Sequence, residues 1–231
     1  MNISIFSLTE GAKKAEGVTV IIDVFRAFTL EVYLFAQGAE KIYAVGSEEE
    51  ARKMKAEHPE YLLIGERYGR KLPGFDYGNS PAAIQDLDCT GRTFVHTTTN
   101  GTQGIANAAK AERILTGALV NAKATAEYIA SLHCAQVSLV AMGWDGKKTE
   151  EDELCAAYLK SLLVQEPMKD IAQRADDLRY SEGKKFFDPK QQDVFPQGDF
   201  AMCAKPDLFD FAVEVTKEEG HTVCRKKELH G

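Results

Sequence analysis

The sequence has no CxxC pair, no long apolar run and no excess of basic residues. Its five cysteines are odd in number and widely spaced, which favours reduced thiols over a disulfide framework or a zinc site. No apolar run approaches the roughly 20 residues of a membrane-spanning helix, and the opening stretch MNISIFSLTEGAKK lacks the basic and apolar regions of a signal peptide. We therefore expect a cytoplasmic protein that does not bind a membrane.

Basic residues are outnumbered: 28 lysines and arginines stand against 35 aspartates and glutamates, so the formal net charge is −7. This balance argues against nucleic-acid binding, which depends on clustered basic residues. An acidic protein still binds a small anion where arginines and backbone amides point into one pocket. With 231 residues, 44% of them hydrophobic, we expect a single compact domain over residues 1–231 that becomes less regular from about residue 167. A homodimer is the ordinary expectation for such a chain.

Common phosphate-binding and hydrolase motifs are also missing. The sequence contains no GxGxxG, HExxH or GxSxG motif. Gly69 and Gly74 have the spacing of a Walker loop, but Phe75 and Asp76 follow them instead of lysine and a hydroxyl residue. Any site for a phosphorylated ligand must therefore be built from other residues.

Apolar runs alternate with helical patterns over the first 165 or so residues, and the β-branched run at 18–22 is the clearest strand. Alternation of this kind predicts the α/β class, as a three-layer α/β/α sandwich with a largely parallel or mixed central sheet. The segment 183–198, rich in charge, glutamine and proline, is interpreted as a surface connection. Short strands are predicted at 200–205, 211–215 and 222–226, the last two forming a hairpin.

The polar loop at 65–81 follows a predicted strand at 61–64 and is the most informative stretch of the chain. It contains four glycines, two prolines and a set of charged and amide side chains: Glu66, Arg67, Arg70, Lys71, Asp76 and Asn79. Carboxylates suit a hard divalent cation, and guanidinium groups suit a phosphate, sulfonate or carboxylate. A surface loop with solvated ion pairs is the alternative for this composition taken alone.

Three more polar stretches follow predicted strands. Asp23 and Arg26 follow the strand at 18–22, and a hydroxyl-rich turn at 97–102 follows the strand at 92–96. The turn is interpreted as an anion-binding loop, the alternative being a simple helix cap. Asp152 follows the strand at 137–142, where the acidic residues also fit a capping box. Since the carboxyl ends of parallel strands share one edge of a sheet, we expect these stretches to converge on one site.

Three of these segments, in this order, resemble the 2-phosphosulfolactate phosphatase family: IDVFRA at 22–27, GER at 65–67 continuing to GFDYGNSP at 74–81, and TTTNGT at 97–102. The resemblance spans most of the chain. It implies a compact α/β/α fold and a magnesium-dependent acid phosphatase acting on phosphate esters of 2-hydroxy acids, with a role in coenzyme M biosynthesis in methanogens.

Residue roles follow from the chemistry of these side chains. We predict that Mg²⁺ takes two or three oxygen ligands from Asp23, Glu66, Asp76 and Asp152. Asp23, Arg26, Glu66 and Asp76 are the predicted catalytic residues, with the arginine as a phosphoryl clamp. The residues predicted to bind the anionic substrate are Arg67, Asn79, Thr98, Thr99, Asn100 and Gly101.

Two features of the chemistry stay open from the sequence. Either a metal-activated water or Asp23 itself attacks phosphorus, and either Asp76 or His96 protonates the leaving alkoxide. The competing function is a binding or sensor protein that holds a phosphorylated or sulfonated acid without turnover. The carboxylate set favours catalysis, because an anion binder gains nothing from several acids unless a metal neutralises them.

Overall fold

The structure, a computed structural model, describes residues 1–229. In this range one sheet has the strand order β1-β8-β2-β7-β9-β10-β3-β6-β4-β5. The strands are β1 (Asn2–Ser7), β2 (Gly17–Ile22), β3 (Lys41–Ala44), β4 (Leu62–Arg67), β5 (Arg70–Lys71), β6 (Thr93–Thr97), β7 (Ala111–Gly117), β8 (Gln136–Ala141), β9 (Phe211–Glu218) and β10 (His221–Glu228).

The α-helices alternate with the strands up to about residue 163 and then follow one another. They are α1 (Leu8–Ala12), α2 (Ala27–Ala36), α3 (Glu48–Glu57), α4 (Gly101–Asn107), α5 (Ala122–Ser131), α6 (Glu150–Leu163), α7 (Ile171–Asp177) and α8 (Gln197–Cys203). Short 3-10 helices cover Ala82–Ile84, Leu119–Asn121, Leu178–Tyr180 and Glu182–Phe187. The predicted α/β class is confirmed.

The sheet is mixed, as predicted, because an antiparallel hairpin lies in its middle. β1, β8, β2 and β7 form one parallel group, and β3, β6 and β4 form another. The β9–β10 hairpin joins them through antiparallel contacts with β7 and β3. The sequence predicts the hairpin, but only the structure shows that it links the two parallel groups.

Helix α2 is buried on nearly every side, which agrees with its run of apolar residues AFTLEVYLFA. Its Leu30 and Leu34 belong to a core cluster that also includes Ile21 of β2 and Phe94 of β6. Four strands separate β2 from β6, a span of about 24 Å in a flat sheet. Both strands nevertheless pack around one helix, so the sheet must curve around α2 and bring distant strand ends together.

Two sequence predictions for the C-terminal part are wrong. The predicted strand at 200–205 is instead helix α8, in which Phe200 and Cys203 are buried at helical spacing. A short apolar run does not distinguish a strand from a buried helical turn. The segment at 183–198 is not a simple surface connection either, because Phe186, Val194 and Phe195 are buried in it. Within residues 1–229, no helix has the length and apolar character needed to cross a membrane.

Candidate active site

A small pocket lies where the ends of β2 and β4 meet the C-terminal segment. Its walls combine polar and aromatic side chains with one glycine: Asp23, Phe25, Arg26, Glu66, Gly69, Asn79, Asn100, Trp144, Lys185 and Phe195. Five residues predicted from the sequence to act in the site are therefore in one place: Asp23, Arg26, Glu66, Asn79 and Asn100. The convergence depends on the curved sheet.

Asp23 is the first residue after β2 and faces the start of α4. A Cβ atom built on Gly101 would lie 3.1 Å from Oδ2 of Asp23 and 2.9 Å from the ring of Phe28. Glycine is therefore required at this position for the two segments to approach so closely. Asp23 is 7% exposed, so its carboxylate is nearly enclosed but still faces the pocket.

Glu66 lies near the end of β4, which continues two residues beyond Gly65 instead of ending at Ile64 as the sequence predicts. Its Oε1 accepts a hydrogen bond from the backbone N–H of Thr99 at 2.8 Å, and its Oε2 accepts one from Gly69 N–H at 2.7 Å. Gly69 has φ of +79° in the tight turn between β4 and β5, a conformation that favours glycine. These amides hold the Glu66 carboxylate in one orientation.

The two carboxylates influence one another. Burial and the charge of Glu66 raise the pKa of Asp23 to about 6. Backbone hydrogen bonds from Ala27 and Gly101, and the interaction with His96, oppose this rise. A cation between the carboxylates would remove the repulsion and favour the ionised form of Asp23.

Arg26 is buried and mostly engaged by protein acceptors. Its Nη1 donates to Oδ2 of Asp199 and to the Val194 carbonyl, both at 2.8 Å, and its Nη2 donates to the Gly69 carbonyl at 2.9 Å. The guanidinium also lies 4.9 Å from the centroid of the Phe195 ring. Arg26 therefore joins the β4–β5 turn to the C-terminal segment, and a minority of its five N–H groups stay available for a ligand.

The side chain of Asn79 is hydrogen-bonded to a buried histidine. Its Oδ1 lies 3.0 Å from Nε2 of His96, and Nδ1 of the same ring lies 2.8 Å from Oε1 of Glu31. Both ring nitrogens have partners and His96 is fully buried, so it does not contact a ligand in the pocket. The hypothesis that His96 protonates the leaving group therefore loses its geometric basis.

The hydroxyl-rich turn at 97–102 is bonded mainly to the protein itself. Thr98 and Thr102 exchange hydrogen bonds, each hydroxyl accepting from the other's backbone N–H at 3.1 Å. Thr99 donates to Glu66, as described above. Arg67 donates to its neighbour's carbonyl and to the Thr97 hydroxyl, and it does not line the pocket. Of the predicted anion-binding turn, Asn100 lines the pocket.

Asp76 and Asp152, which are also predicted metal ligands, both accept hydrogen bonds from backbone amides. Oδ2 of Asp76 accepts a hydrogen bond from Leu63 N–H at 2.7 Å, three residues before Glu66 on β4, and Asp76 does not line the pocket. Asp152 accepts from the amides of Val24 and Gly143, both at 2.8 Å, and so ties the end of β2 to the end of β8. Asp76 does not join Asp23 and Glu66 in the pocket. Burial and the charges of Glu151 and Asp23 raise the pKa of Asp152, which lies beside Asp23, so its role as a metal ligand stays a prediction.

Lys185 and Phe195 are pocket residues that the sequence did not indicate, because they lie in the segment interpreted as a surface connection. Nζ of Lys185 lies 4.4 Å from the Trp144 ring centroid and 5.5 Å from that of Phe195. Burial lowers the pKa of Lys185, while the charge of Glu151 opposes this change. Burial also raises the pKa of Glu151 to about 7.

The donor set fits a magnesium ion held by few protein ligands. In the described part of the chain, no three or more His, Cys, Asp or Glu side chains are grouped to hold a metal. Mg²⁺ usually needs only one or two carboxylates, since water and substrate phosphate complete its octahedron. Asp23 and Glu66 meet that requirement. The pocket's free volume of about 20 Å³ holds a water or two, and an adjoining cleft of about 450 Å³ shares Arg26, Gly69 and Asn79 with it.

The curved α/β sheet, with a small polar pocket at its strand ends, defines the class of protein. Comparison with known proteins gives the family. The sequence profile described as 2-phosphosulpholactate phosphatase matches residues 4–218. The chain therefore belongs to the 2-phosphosulpholactate phosphatase family.

Individual relatives agree with this assignment. A protein of Carboxydothermus hydrogenoformans named a probable 2-phosphosulfolactate phosphatase is 35% identical, and the alignment covers 99% of both chains. A Bacillus subtilis protein of the same name is 30% identical, over 95% of this chain and 96% of its own length. A third, from Caldicellulosiruptor saccharolyticus, is 40% identical over 65% of this chain and 64% of its own.

Proposed function

We propose that this protein is a phosphoric monoester hydrolase that uses Mg²⁺ to remove phosphate from a small 2-hydroxy acid ester, with 2-phosphosulfolactate as the substrate and sulfolactate as the product. The observation that supports this most directly is the pair Asp23 and Glu66, which share one pocket although they come from distant parts of the sheet. The family to which the chain belongs points to the same reaction.

A bound cation would relieve the electrostatic repulsion between the two carboxylates. Burial and the charge of Glu66 make ionisation of Asp23 costly, and a trianionic or tetra-anionic ester would add to the repulsion. Asp23 and Glu66 would hold Mg²⁺, which when bound polarises the phosphoryl oxygens and neutralises charge that develops on them. Glu66 is already fixed by two backbone amides, so binding requires little reorganisation of this ligand.

The remaining side chains of the pocket orient the ester. Asn79 and Asn100 present amide groups to the phosphoryl oxygens, and the free N–H groups of Arg26 add charge-assisted hydrogen bonds. The apolar part of the pocket wall consists of the rings of Phe25, Trp144 and Phe195. These rings exclude water from the reacting groups. The combination of carboxylates with anion-binding groups supports hydrolysis over binding alone.

Phosphate release tests the proposal directly. It should be measured with 2-phosphosulfolactate and 2-phospholactate, with Mg²⁺ and with EDTA, on the wild type, Asp23→Ala and Glu66→Gln. We expect release that requires metal and falls by more than about 100-fold in each variant, because metal-assisted charge stabilisation contributes several kcal/mol. Release that is equally fast with EDTA would overturn the role of the metal.

The competing binding function predicts a different result. A sensor would bind the ester without releasing phosphate under any of these conditions, and calorimetry of the folded wild type would show that binding. This outcome would replace the hydrolase with an anion-binding protein on a phosphatase fold.

A further inference from the structure

Lys185 stands out among the pocket residues because its ammonium group has no partner of its own. No hydrogen-bond acceptor and no carboxylate within 4.0 Å is recorded for its Nζ among residues 1–229, whereas Arg26 is paired with Asp199. An ammonium carries three N–H donors. Among the side chains that line the pocket, Lys185 is therefore the cation with its full donor capacity unused.

Aromatic rings surround this ammonium, and the charges of Glu151, Glu182 and Asp152 act on it from beyond hydrogen-bond distance. Besides the rings of Trp144 and Phe195, those of Phe186 and Phe25 have centroids 5.7 and 5.9 Å from Nζ. Rings stabilise a cation through their faces but accept none of its hydrogen bonds in the ordinary sense. The ammonium is thus kept at the pocket wall, partly removed from water, and its donors have no acceptor among residues 1–229.

The charge in the pocket divides into two parts. Asp23 and Glu66 lie at the strand ends, where the phosphoryl group and its cation would be bound. Lys185 belongs to the aromatic part, which the C-terminal segment builds. A dianionic phosphoryl group is costly to move out of water into aromatic surroundings, whereas a singly charged acid costs less and is matched by a single ammonium.

We infer that Lys185 binds the carboxylate of the 2-hydroxy acid and thereby selects esters that have an acidic group beside the phosphate. The inference rests on the proposed function, since it assigns the second anionic group of that substrate. The carboxylate is the acid nearest the ester in every 2-hydroxy acid, because its carbon is bonded directly to the one that bears the ester oxygen. In so small a pocket, a residue on the wall beside Asp23 and Glu66 reaches this group before a more distant sulfonate.

Paired substrates test this assignment. Isopropyl phosphate is 2-phospholactate with a methyl group in place of the carboxylate, so the ratio of kcat/KM for the two esters isolates the contact. We expect Lys185→Met to lower kcat/KM for 2-phospholactate by roughly 10- to 100-fold and to leave isopropyl phosphate within about twofold. Lys185→Arg should keep part of the preference. Lys184→Met is the matched control, because Lys184 is the exposed neighbour and does not line the pocket.

The ratio is measured on one sample of each variant, so a loss of folded protein affects both esters equally. An unchanged ratio in Lys185→Met would overturn the inference, as would equal losses with both esters, which would place the lysine at the phosphoryl group. A similar change in Lys184→Met would also overturn it. If the wild type hydrolyses neither these esters nor 2-phosphosulfolactate, the proposed function fails, and binding measured by calorimetry then tests the contact between Lys185 and the carboxylate. A lower affinity for 2-phospholactate in Lys185→Met, but not in Lys184→Met, would support the inference. Equal affinities in Lys185→Met and the wild type, or no binding by the wild type, would overturn it.

Discussion

The Nε2 atom of His96 lies 3.0 Å from Oδ1 of Asn79, so a fully buried ring sets the position of an amide in the pocket. The other nitrogen of the ring is bonded to Glu31, which is also fully buried. A chain of three side chains thus connects the interior of α2 with the site. If Nδ1 donates to Glu31 and Nε2 donates to Asn79, the amide nitrogen of Asn79 is left to face the pocket as a donor to an anion.

Glu31→Gln tests whether this buried pair is ionised. In an ionised pair, removing the Glu31 charge leaves a buried cation without compensation, and the free energy of unfolding then falls by about 3–5 kcal/mol in urea denaturation. The control is Glu48→Gln, whose exposed pair with Arg52 on α3 should contribute less than about 1 kcal/mol. A loss of equal size in the two variants would contradict an ionised pair.

Asp199→Asn addresses the corresponding pair at Arg26. Oδ2 of Asp199 accepts from Arg26, and its Oδ1 accepts from the Ser80 hydroxyl at 2.7 Å and from Ala82 N–H at 3.0 Å. The variant leaves a buried guanidinium without its counter-charge, so we expect about 3–5 kcal/mol less stability and a lower kcat/KM. Denaturation and steady-state kinetics measure the two effects. Unchanged stability would show that Arg26 does not depend on this partner.

The pH dependence of the metal-free protein should report on Asp23. A pKa raised from 3.8 to about 6 means that the folded protein holds a proton that the unfolded chain releases. The contribution of Asp23 to stability must therefore fall as pH rises from about 4 to about 6, by about 3 kcal/mol when the change is complete.

Asp23→Asn removes this ionisation, and Mg²⁺ should weaken its effect by binding the charged form. Urea midpoints measured across this pH range with EDTA provide the test. A variant whose stability has the same slope from pH 4 to 6 as that of the wild type would contradict the assignment, because the other carboxyl groups affect both proteins equally.

The sequence identified those parts of the site that follow buried strands. Asp23 and Glu66 were predictable because β-branched or apolar runs precede them and the carboxyl edge of a parallel sheet collects such residues. The position of the hairpin in the middle of the sheet and the curvature around α2 leave no local pattern in the sequence, so the distances between the site residues were not predictable.

The residues that the sequence missed lie in the C-terminal segment. Lys185 and Phe195 sit in a stretch whose charge, proline and glutamine suggest solvent exposure, although its aromatic residues pack over the pocket. Glu31 gave a weak signal, as the single charged residue in an otherwise apolar helix. The spacing of residues in the sequence does not show which side chain a buried charged group such as Glu31 contacts in the fold.

Asp76 is among the predicted catalytic acids because it is a carboxylate in the polar loop at 65–81. A conservative substitution tests whether its role differs from that of Asp23. In Asp76→Asn the amide oxygen still accepts the hydrogen bond from Leu63 N–H, so the end of β4 keeps its support. We expect kcat/KM with Mg²⁺ to stay within about twofold of the wild type, because the side chain does not line the pocket. Asp23→Asn is the matched change at the pocket and should lower kcat/KM by more than about 100-fold. A large loss in Asp76→Asn that additional Mg²⁺ restores would return Asp76 to the metal site, because a residue that only supports the strand would not respond to the metal concentration.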